Sequence, residues 1–93
     1  MRYQVDCNVY AGGRNGKGEL VVVSDNVPLS KQDIAEIEAS KETFALKVAE
    51  QTFEHLKEKC SEAVFQDMVK KYAQKILDAN DIRIKVIKIS QLH

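Results

Sequence analysis

Tyr3, Val5, Cys7 and Val9 alternate with the polar Arg2, Gln4, Asp6 and Asn8 at the start of the chain. A period of two puts these sets on opposite faces, so Arg2 to Tyr10 is predicted to be a half-buried β-strand. A second apolar run, Leu20-Val21-Val22-Val23 within Glu19 to Asp25, is apolar at both parities. That pattern predicts a strand covered on both sides, hairpin-paired with the first.

From Lys31 to about Asp78 the period becomes helical. One helix of that length would run roughly 70 Å at 1.5 Å per residue, too long for so small a domain, so it must break. Ala45, Val48, Ala49, Thr52, Phe53, Leu56 and Cys60 share one stripe, whereas Phe65, Met68, Val69, Tyr72 and Ile76 lie about half a turn away. A chain reversal near Cys60-Ser61-Glu62, with Ser61 as N-cap, turns both stripes to one core. A softer break near Ser40 fits the slight phase offset of Ile34 and Ile37. Ser30, with Asp33 in the following turn, predicts the first helix start. Asn80 suits the left-handed closure of the last helix.

Ile82 to Ile89 is β-branched and reads as a third strand. The expected architecture is α+β: a single domain over residues 1–93, ordered β-β-α-α-β, with a three-stranded, mainly antiparallel sheet and a helical hairpin packed on one face. Two helices cover one sheet face only. Val21 and Val23, with Ile87 and Ile89, are therefore expected on a second face that a homodimer or protein partner covers. A β-bulge near Val86-Ile87 is the alternative, because it would turn Ile82, Ile84, Val86, Ile87 and Ile89 all inward.

Composition narrows the chemistry. Fourteen basic residues balance fourteen acidic ones, so net charge gives no general attraction to nucleic acid or membrane. The balance is local: Lys31 to Glu62 carries eight acids and five bases, Ala63 to His93 three acids and six bases. Met-Arg-Tyr-Gln-Val-Asp lacks a signal-peptide core and no apolar run nears the ~20 residues of a span, so a cytoplasmic protein without membrane association is expected. Cys7 and Cys60 are expected to be reduced thiols. With His55 and His93 they offer no zinc spacing, and neither a metal nor a cofactor is expected.

All four glycines fall within seven residues, in Gly12-Gly13-Arg14-Asn15-Gly16-Lys17-Gly18. A P-loop is excluded: Ala11 replaces its first glycine, Gly18 replaces its hydroxyl residue, and a strand follows instead of a helix. Gly13-Arg14-Asn15 resembles the arm tip of histone-like architectural DNA-binding proteins over about seven residues, with Gly16 in place of the wedge proline. The resemblance implies minor-groove contact by a β-ribbon. The plainer reading is a mobile hairpin loop with glycines at positive φ.

Two charged sets remain. Glu36, Glu50, Glu54 and Glu58 are expected close to one exposed helical line, and Glu50, Glu54 and Glu58 to suit a basic partner surface. Arg14, Asn15 and Lys17 on the hairpin, with Arg83, Lys85 and Lys88 on the third strand, would form a nucleic-acid-binding patch if the fold brings them together. No positioned nucleophile or base is apparent, so a catalytic role would rest on a site without a motif. The leading expectation is a non-enzymatic protein-interaction module of accessory, inhibitor or immunity type; the alternative is a small nucleic-acid binder.

Overall fold

A computed structural model describes residues 1–92. Its strands are β1 (Arg2–Ala11), β2 (Arg14–Val23) and β3 (Ile82–Leu92), and its helices α1 (Lys31–Glu38), α2 (Lys41–Thr52) and α3 (Glu62–Asp78). A 3₁₀ turn, Glu54–Leu56, follows α2. The sheet is antiparallel in the order β2-β1-β3, and the helices form a second layer on one face. This is the α+β architecture anticipated from the periodicities, with the first helix divided into α1 and α2.

β1 is the central strand. Tyr3, Val5, Cys7, Val9 and Ala11 are buried beneath the helices, which is the alternation read from sequence. The hairpin is tighter than a mobile loop: Gly12 (φ 59°) and Gly13 (φ 81°) form a two-residue turn, and pairing resumes at once with Ala11 opposite Arg14. Two consecutive positive-φ residues match the right-handed twist of the flanking strands and favour Gly-Gly. β2 therefore begins at Arg14, five residues before the expected Glu19, because Gly16 and Gly18 hide a strand from any propensity argument.

Gly18 has a packing role. A Cβ there would lie 2.8 Å from the Phe44 ring, and Phe44 is fully buried. The absent side chain lets α2 set its largest residue on the sheet. Ala45 and Ala49, also fully buried, continue the close approach of α2 to the core, and Phe65, Val69, Ala73 and Ile76 supply the inner face of α3.

Local signals close the helices as expected. Ser30 Oγ accepts the Asp33 N–H at 3.1 Å and Asp33 Oδ2 accepts the Ser30 N–H at 3.1 Å, a reciprocal capping box. Ser61 Oγ accepts the Val64 N–H, and Asn80 takes φ 50°.

β3 carries a bulge. Asp6 pairs with Lys88 and Cys7 with Val86, leaving Ile87 as the extra residue. Ile82, Ile84 and Val86 face the helices; beyond the bulge the parity switches, so Ile89 shares their side, opposite Val5. The expected apolar second face is thereby corrected. Of the apolar positions assigned to it, Val21 and Val23 remain there, Ile89 belongs to the helical side, and Ile87 is half exposed at the bulge. The other residues of the open face are mostly polar because β1 and β3 present their polar parity to it.

Candidate binding surfaces of the sheet

Three surfaces meet at β2. The first is its free edge. Met1 and Ser24 exchange both backbone bonds, at 3.0 and 2.9 Å. Such pairs alternate along an antiparallel ladder, so Asn15, Lys17, Glu19, Val21 and Val23 turn their N–H and C=O groups away from β1. Val21 is 52% exposed and Val23 73%. The opposite edge is guarded up to the bulge: α1 packs beside β3, and Glu38 Oε2 accepts the Val86 N–H at 3.1 Å.

The second surface is the open face. Register aligns Lys17, Asn8 and Lys85 in one row, Asn15, Tyr10 and Arg83 in the next, and Glu19, Asp6 and Lys88 in a third. The Arg83 guanidinium lies over the Tyr10 ring, 4.9 Å from its centroid, a cation–π contact. With Arg2 the face holds five cations and two carboxylates, leaving nine cations and twelve carboxylates elsewhere in the chain. Among the described residues the one ion pair is Lys71–Asp67, so these cations are unpaired. The fold thus unites five members of the proposed nucleic-acid set, Asn15, Lys17, Arg83, Lys85 and Lys88. Arg14 is separated from them: it pairs with buried Ala11 and so lies on the helical side.

The third surface was not foreseen. α2 overhangs the glycine half of β2 and leaves a cleft of about 260 Å³, floored by Val9 and Ala11 and walled by Phe44 and Val48. Arg14, Lys47, Thr52 and Tyr72 also line it. Tyr72 is held by an edge-on contact with Phe53, centroids 5.4 Å apart. The sequence signal was present in Gly16 and Gly18, two positions apart on one strand face, but its meaning depends on which helix lies above.

The acidic line is broken by the fold. α2 ends at Thr52, so Glu50 is on α2, Glu54 in the 3₁₀ turn and Glu58 in the turn beyond. All three are exposed, on three different segments. Glu50 and Glu54 line a shallow depression with Lys57, Phe65 and Gln66.

Cys7 and Cys60 are free thiols. Burial pushes the Cys7 thiol above its ordinary pKa, and the negative charges of Glu38 and Asp6 push the same way, so it is protonated at neutral pH and poorly nucleophilic. Among the described residues no three His, Cys, Asp or Glu side chains converge as a metal site, and no helix is long and apolar enough to cross a membrane. No family model, curated protein or solved structure matches the chain.

Proposed function

We propose that this protein is a small interaction module that takes an extended segment of a protein partner along the free edge of β2. One observation carries the reading: β3 is guarded up to its bulge by α1 and Glu38, whereas β2 offers outward backbone groups and two exposed valines. An unprotected, β-branched edge is a template for strand addition. Backbone pairing supplies affinity there, and the alternating side chains supply selectivity.

Selection of extended peptides from a displayed random library tests this. Enriched peptides are expected to lose binding to Val21→Pro, which removes one outward N–H at an edge position, and to Val23→Lys. Absence of any enriched peptide, or peptides indifferent to Val21→Pro, would refute edge docking. Sedimentation of the protein alone completes the test, because a dimer abolished by Val21→Pro identifies a second copy as the segment.

A second reading, single-stranded nucleic acid on the open face, is supported by the gathering of Lys17, Arg83 and Lys85 around Tyr10, with Lys88 two rows farther along the same face. It requires binding that weakens steeply with salt and is lost in Lys85→Glu or Tyr10→Ala. Lack of binding at low salt would eliminate it.

A further inference from the structure

The groove between β2 and α2 has a polarity that specifies what the docked segment must be; this inference rests on the edge reading above. At one end is the cleft of about 260 Å³, whose charged side chains on the helical side are Arg14 and Lys47, with no carboxylate in its lining, although the chain holds as many acids as bases; Lys17 borders it from the open face. A Cβ added at Gly16 would meet nothing within 4 Å. The missing side chain is thus an opening above Val9 and Ala11, beside the free edge. The groove continues along β2 into a second depression that shares Lys17, Gly18, Lys47 and Gln51 and adds Glu19 and Glu50. Farther along the same edge stand exposed Val21 and Val23.

A chain lying antiparallel to β2 meets these features in order: the valines first, then the acids, then the cations at the apolar cleft. A chain passing beyond the cations would leave an apolar hole and the charges of Arg14 and Lys47 without partners. We infer that the segment ends there: it is the free C-terminus of a protein, its last apolar side chain in the cleft and its α-carboxylate between Arg14 and Lys47. Carboxylate oxygens accept charge-assisted hydrogen bonds from guanidinium and ammonium groups. Glu50, on the helical side of the second depression, favours a basic residue a few positions upstream.

The test uses the peptide Lys-Val-Thr-Val-Leu in two forms, free acid and C-terminal amide, titrated against the whole protein and followed by amide NMR. The free acid is expected to shift the amides from Gly16 to Val23, and amidation to weaken binding about tenfold or more. Arg14→Gln with Lys47→Gln should bring the acid down to the affinity of the amide. Gly16→Val, at a position without positive φ, should fill the cleft and weaken both peptides. Equal affinity of acid and amide, with the same edge amides shifted, overturns the terminus and leaves edge docking standing. If neither form shifts the β2 amides, this inference falls, and a library without Val21→Pro-sensitive peptides removes the edge reading as well. Should Gly16→Val fail to fold, the Arg14 and Lys47 variants decide the outcome alone.

Discussion

The two edges of this sheet are handled in opposite ways. β3 is shielded by a helix, a bulge and a carboxylate at one of its outward amides. β2 is straight in register, paired over ten residues and bare on its outer side. Natural sheets blunt edges that would otherwise recruit other chains. A molecule that protects one edge and not the other has its pairing capacity confined to one side. The cleft lies on that same side, because the glycines that thin β2 also let α2 come down over it.

The contrast can be attacked at its strongest point first. Phe44→Ala removes the ring seated on Gly18 and should cost about 3–5 kcal/mol, read as a shift in the urea midpoint. Hydrogen exchange should then accelerate in β2 more than in β3, since the Phe44 ring is seated directly on Gly18 of β2; equal acceleration would mean the edges are stabilised together. Glu38→Ala opens the protected edge. It strips the Val86 N–H of its acceptor in a part-buried position, at about 1–3 kcal/mol, and Cys7 should become more accessible to alkylation. An unchanged Cys7 rate would show that the carboxylate does not guard that edge.

The smallest effect concerns the connection from β2 to α1. Asp33 Oδ2 accepts from Asn26 Nδ2 at 2.8 Å, from the Ser30 N–H at 3.1 Å and from Ser24 Oγ at 3.4 Å. These bonds, the one from Asn26 foremost, hold its carboxyl below the ordinary aspartate value of 3.8. A depressed folded-state pKa contributes stability above the unfolded value and loses it as pH falls through the folded one. Between about pH 5 and about pH 2, wild type should therefore lose slightly more stability than Asp33→Asn in urea titrations. Identical pH slopes would show that the cap is not coupled to folding.

Features set by neighbouring residues were legible before the structure. The alternation of Tyr3 to Val9 fixed the buried face of β1, and Ser30, Ser61 and Asn80 marked helix ends through hydrogen bonds or φ values that span only a few residues. The open-face cations were legible in part, since Arg83 and Lys85 share a parity. Lys88 joins them only through the bulge, which tertiary packing selects. The cleft was illegible because Gly16 and Lys47 are thirty-one positions apart and nothing local predicts that α2 crosses β2 at that point. The line of Glu50, Glu54 and Glu58 failed for a related reason: helical period persists in the sequence after the backbone has left the helix at Thr52.

The bulge at Ile87 gives β3 two reading frames. Before it, even-numbered residues turn inward; after it, odd-numbered ones do. Deleting Ile87 would merge the frames into one uninterrupted alternation, with Lys88 still opposite Asp6 on the open face and Ile89 still opposite Val5. Without a bulge to absorb it, Ile87 would take the place opposite Asp6 on the open face and turn Lys88 toward the helices; the supernumerary residue acts as punctuation that keeps Arg83, Lys85 and Lys88 on one face.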